Sequence, residues 1–267
     1  MEKLSTLIKH FDEIWPDSGA ESWDFPGLML GTHNQEIFSC LLTVDVTLDT
    51  IRQAAEFGAQ LIISHHPLFL HGVHELSESS PKGAISALAA REKIAVYAAH
   101  TNADFVSGGV SETLATSLGL TVDGFLDDVT KQGVIGKLSQ PASLLELSRS
   151  VARVLPSVAQ GVKVAGNPER LISTVGVVAG AGDSFLDRAL ASDLDLFVTS
   201  DLRHHRALDF VDASKLNEGP ALMDIAHWAA EWLWLEKVQR DLGQAFPSIK
   251  FEVNDRSTDP WDFVVMQ

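Results

Sequence analysis

The sequence has little cysteine, little positive charge and no long apolar run. Cys40 is its single cysteine, so no disulfide can form within the chain and no thiolate cluster can hold a metal. That composition fits a reducing compartment. Only 20 Lys and Arg stand against 36 Asp and Glu, a net charge of −16. A chain this acidic lacks the surplus of cations that binds a nucleic-acid backbone or an anionic membrane. No apolar stretch approaches the roughly 20 residues needed to span a bilayer. Between Met1 and Trp15, the charges of Glu2, Lys3, Lys9, Asp12 and Glu13 interrupt any signal-peptide core. These absences set the expectation of a cytoplasmic protein that does not bind membranes and does not act on nucleic acids. Its 267 residues, 45% of them apolar, suffice for one large domain or two small ones.

Leu4, Leu7, Ile8, Phe11, Ile14 and Trp15 recur at helical spacing and predict an opening amphipathic helix, ended by Pro16. Trp23 to Leu28 reads as a turn-rich connection. Strands are expected at 38–46, 61–64, 94–99, 133–138, 171–178, 194–199, 221–223 and 248–253. Helices are expected at 48–57, 82–91, 109–118, 144–155, 184–191, 204–211 and 225–242. This alternation predicts an α/β architecture with largely parallel pairing. A second series starts after Asp127-Asp128. The expected division is therefore a first α/β unit of residues 1–126 with 221–267, and a second of 127–220.

Ser64-His65-His66-Pro67 follows an apolar strand. Neighbouring side chains on a strand diverge, so two adjacent imidazoles can serve two ions side by side. His100 and Asp104 follow the strand at 94–99, and His227 and Glu231 share a helix face four residues apart. Each group has a plainer explanation. The histidine pair could be a cap and a core residue, His100 with Asp104 a structural hydrogen bond, and His227 with Glu231 a solvated face. Their convergence favours a metal, because ligand sites in open α/β sheets lie beyond the carboxyl ends of strands. A mixed imidazole and carboxylate set suits two divalent ions of zinc, iron, manganese or nickel, and metal pairs activate water. His100 is the candidate general acid/base, since imidazole titrates near neutral pH.

Asp201 is read as the N-cap of the helix expected at 204, and His205 as a candidate substrate-facing residue. Gly180-Ala181-Gly182 is read as a tight turn rather than a phosphate cradle. Trp228, Trp232 and Trp234 are assigned to packing. Ser64 has no evident base to make it a nucleophile.

Four ordered stretches carry a resemblance. They are Leu61 to Leu68, Ala99 to Asp104 with Gly108-Gly109-Val110, Thr199 to Asp209, and Asp224 to Glu231. Together they resemble the GTP cyclohydrolase I type 2 homologues, also called Nif-three-like proteins, over nearly the whole chain. The resemblance implies two interlinked, similar α/β units, here in the short form without an inserted domain. It implies a toroidal homohexamer with a dinuclear metal site whose ligands are His65, His66, Asp104, His227 and Glu231, with His100 beside the metals. It implies a small-molecule hydrolase of cyclohydrolase or phosphoester type; the rival is a non-enzymatic metal-handling or protein-interaction assembly. Phe25 stands where the family usually has Asn, and Ala226 where it has Gly. His204 stands where an aromatic residue is usual, so the matching histidine is His205.

Overall fold

Helices form where the chain supplies both an apolar stripe and a cap. Thr47 and Thr50 close a capping box on helix Leu48–Phe57, and Gly58 ends it at φ 74°. Ser80 caps Pro81–Arg91, with Pro at the position where no amide is missed. Ser143 and Glu146 close a second capping box on Leu144–Val154. The computed structural model describes residues 1–266 and divides the chain into two compact units.

The first unit comprises Met1–Val106 and Leu235–Thr258. Its five-stranded sheet runs in the order Lys250–Val253, Ser39–Thr43, Leu61–Ser64, Ala95–Ala98, Gly27–Leu30. The first four strands are parallel and the last is antiparallel. The strands after Ser39 and Leu61 read as continuous apolar runs because helices cover both faces. One face packs Ile62 and Val96 against Ile51, Ala54, Ile85 and Ala89 of two helices. On the other side Phe11 of helix Leu4–Ile14 lies 4.8 Å from Tyr97, ring to ring. Ile62 is 0% exposed. Ile62→Ala is expected to lower stability by about 2–5 kcal/mol, read as a reduced denaturant midpoint.

The second unit runs from Ser107 to Trp234 and resumes at Asp259. Its six-stranded sheet has the order Leu120–Phe125, Val134–Ser143, Leu171–Ala181, Leu196–Ser200, Ala221–Ile225, Lys163–Ala165. Leu147, Val151, Val175, Leu196 and Met223 are among its core residues. Only the two central pairings of this sheet are parallel. The outer three are antiparallel, which corrects the expectation of largely parallel pairing here. The link between Leu120–Phe125 and Val134–Ser143 is too short for a parallel crossover, so the chain must turn back. Residues 107–126 and 221–234 also fall in the second compact unit, where the first was expected. Helix His227–Ala245 begins in the second unit and ends in the first.

Candidate metal centre

In the first unit three adjacent parallel strands, Ser39–Thr43, Leu61–Ser64 and Ala95–Ala98, deliver their carboxyl ends to one edge. Ladder hydrogen bonding continues past the strands. His65 N donates to Thr43 O at 3.0 Å, His66 N to Val44 O at 2.8 Å, and Ala99 N to Ser64 O at 2.9 Å. His65, His66 and His100 are thereby brought together, with ring centroids 5.2–5.5 Å apart. One ring nitrogen from each lies within 4.8 Å of the others, close enough to hold an ion.

Each ring has an oxygen near the same atom, and for His65 and His66 the contact is a hydrogen bond, whereas for His100 it is proximity alone. His65 Nδ1 lies 2.9 Å from the Ala99 carbonyl, His66 Nδ1 2.7 Å from Asp45 Oδ1, and His100 Nδ1 3.0 Å from Asp24 Oδ2. A carbonyl or carboxylate at one ring nitrogen fixes the tautomer and aims the other nitrogen, Nε2, as metal-binding histidines require. Burial opposes ionisation of Asp24, but the adjacent His100 ring and the hydrogen bonds from Thr101 prevail and hold its carboxyl at about 2. Burial lowers the pKa of His100, with Asp24 opposing and His65 adding to the fall, so the ring is neutral near pH 7. Ser64 is buried and its hydroxyl donates to the His66 carbonyl at 2.8 Å. It braces the histidine turn.

The second unit repeats the scheme. Three adjacent parallel strands, Leu171–Ala181, Leu196–Ser200 and Ala221–Ile225, end at one edge with Gly180, Asp201 and the start of helix His227–Ala245. His227 Nδ1 lies 2.7 Å from Asp201 Oδ2, and its Nε2 lies 3.0 Å from Glu231 Oε1. Glu231 is 3% exposed. Burial works against a charged His227, but Glu231 and Asp201 outweigh it and raise the ring to about 11. The ring thus carries a proton between two carboxylates, at an atom where a cation would serve equally well.

Asp201 is not the expected N-cap. The helix starts at His204, its capping residue is Arg203, and no side chain caps it. Asp201 instead adopts φ 57°, uncommon for a residue with a Cβ, and turns its carboxylate to His227. Gly180 is more than the expected tight turn. It lies at an irregularity of strand Leu171–Ala181 with φ 75°, and a Cβ there would meet Glu231 Oε1 at 2.5 Å. Asp104 ends the one-turn helix Thr101–Asp104, half-buried, and is not one of the three clustered imidazoles. His205 sits on the exposed start of helix His204–Asn217, its ring 5.3 Å from that of His204. Trp228 and Trp234 are buried, as packing requires.

The Duf34/NIF3 (NGG1p interacting factor 3) family model matches residues 2–260. The chain belongs to this family. Among its relatives is a GTP cyclohydrolase 1 type 2 homolog of Streptomyces coelicolor, 38% identical over 98% of this chain and 94% of the relative. A Mycobacterium tuberculosis protein of the same name is 28% identical over 97% of both chains. That alignment takes 372 positions, so the mycobacterial relative carries insertions that this family member lacks. Among solved structures, a Staphylococcus aureus hypothetical protein matches with a TM-score of 0.87 at 27% identity, covering 98% of this chain and 99% of its own. Among the described residues no helix is long and apolar enough to cross a membrane.

Proposed function

We propose that His65, His66, Asp104, His227 and Glu231 hold two divalent metal ions and that the protein is a metal-dependent hydrolase. The observation that carries this reading is the common anchoring of His65, His66 and His227 at Nδ1 by Ala99, Asp45 and Asp201. Three histidines held for core packing would have no reason to share that feature. The donor set is nitrogen and oxygen only, which fits zinc, iron, manganese or nickel.

Divalent ions held by these residues would supply Lewis acidity, lowering the pKa of a bound water. The protein's own work is positional. Asp45 and Asp201 orient His66 and His227 and raise their basicity. Asp24 lies 3.0 Å from Nδ1 of His100, which leaves Nε2 as the atom that accepts or returns a proton. The substrate reading follows the name of the curated relatives and is hydrolytic opening of a purine nucleotide or cleavage of a phosphoester. The assembly proposed with it is a homohexamer, to be checked by light scattering.

Two variants test the roles. His100→Ala is expected to retain metal and lose turnover by about 10²–10⁴-fold, the usual worth of a positioned acid/base. Loss of metal in this variant would make His100 a ligand instead. Asp201→Asn is expected to weaken metal binding by about 10–100-fold, measured by competition with a chromophoric chelator. Unchanged affinity would reduce Asp201 to a turn residue. Full metal loading without turnover on nucleotides and phosphoesters would favour a metal-handling assembly.

A further inference from the structure

Beside the histidine cluster of the first unit, two large aromatic side chains are held out in water. Trp23 is 53% exposed and Phe25 is 76% exposed, while Asp24 between them is 7% exposed. Single exposed aromatics need no explanation, but these flank a residue turned into the site. The Trp23 ring lies 5.8 Å from that of His100, nearly perpendicular to it.

The segment that carries them is pinned. Asp24 Oδ2 accepts from Thr101 Oγ1 at 2.6 Å and from Thr101 N at 3.2 Å, and Asp24 Oδ1 accepts from Phe25 N at 2.9 Å. Asp24 N donates to Glu21 O at 2.9 Å, and Glu21 N donates to Thr101 Oγ1 at 3.0 Å. One buried carboxylate therefore lies against His100 and, through the same residues, fixes the backbone that carries the two rings. A backbone fixed in advance reduces the freedom lost when something stacks on the rings it carries. Neither ring offers an acceptor, and only the Trp23 indole offers a donor, so the pair is suited to a flat π surface rather than to a hydrogen-bonding edge.

We propose that Trp23 and Phe25 form the ring-stacking rim of the site, and that its substrate carries a planar heteroaromatic ring. This rests on the reading of the histidine cluster as a metal-bearing hydrolytic site and names the class of substrate taken there. Stacking tolerates ring identity, so purine and pyrimidine probes both serve.

The test compares guanosine monophosphate and cytidine monophosphate with ribose phosphate, which has the sugar and phosphate but no base. Binding is measured by calorimetry on wild type, Trp23→Ala, Trp23→Phe and Phe25→Ala, with metal content determined on the same samples. Both nucleotides are expected to bind at least about 5-fold tighter than ribose phosphate. Each alanine variant is expected to lose about 5- to 100-fold for the nucleotides and nothing for ribose phosphate, and Trp23→Phe to restore most of the loss. Both positions are exposed, so folding is retained, as circular dichroism will verify. Equal binding of all three probes, or nucleotide affinity untouched in both alanine variants, overturns the rim. If metal is absent and base discrimination persists, the hydrolase reading fails and the rim stands. If metal is present without discrimination, the rim alone fails.

Discussion

Glu231→Ala is expected to purify without metal under conditions where the wild type carries it. Glu231 is 3% exposed, and its Oε1 lies 3.0 Å from His227 Nε2. Burying a carboxylate this deeply is costly unless a cation accompanies it. In the metal-free chain that cation is the imidazolium of His227. Truncation to alanine removes a proposed ligand and leaves His227 its bond to Asp201 without the second carboxylate. Losing a ligand should cost more than the roughly 10–100-fold that an outer partner is worth. Elemental analysis on protein prepared without a metal-affinity tag reads the result directly. Full metal in the variant would remove Glu231 from the ligand set. A wild type that takes no metal after anaerobic reconstitution would end the hydrolase reading.

Gly180→Ala is the second large effect, and it acts without replacing a ligand. The added methyl would meet Glu231 Oε1 at 2.5 Å and His227 Nε2 at 3.4 Å, on a backbone at φ 75°. The left-handed conformation alone should cost about 1–2 kcal/mol. The collision should push the carboxylate off His227 and lower metal affinity by more than about 10-fold. Gly58→Ala separates the two effects. It carries nearly the same φ of 74°, but a methyl added there would meet nothing within 4 Å. The Gly58 variant should melt lower and keep its metal, whereas the Gly180 variant should melt lower and lose it. Equal metal content in both would show that the space at Gly180 is immaterial to the site.

Much of this centre is legible in the residues alone. The doublet His65-His66 after an apolar run, and the four-residue spacing of His227 and Glu231, both mark strand ends and a helix face that the structure contains. Helices with caps are legible too, since Thr47 and Ser143 announce their starts locally. The short edge strands Gly27–Leu30 and Lys163–Ala165 are not. They are brief and partly exposed, and their pairing with distant strands creates them. The Nδ1 partners are hidden for a related reason. Asp45 lies 21 positions from His66, and Asp201 lies 26 from His227. Only strand adjacency brings them together. Asp201 reads as a cap because an aspartate shortly before a helix ordinarily is one. Gly180 reads as a turn because the irregularity that aims it at Glu231 has no local signature.

The sheet of the first unit has its outer parallel strand at Lys250–Val253, bonded to Ser39–Thr43. The ribosome therefore makes the two partners at opposite ends of its task. Until residue 253 has emerged, strand Ser39–Thr43 keeps an open edge, and the nascent chain must hold an unfinished sheet through most of its synthesis. The second unit's six strands, by contrast, all lie between 120 and 225 and can pair as soon as that stretch is free. Translation order thus favours completion of the second unit first, with the histidine-rich sheet closing last.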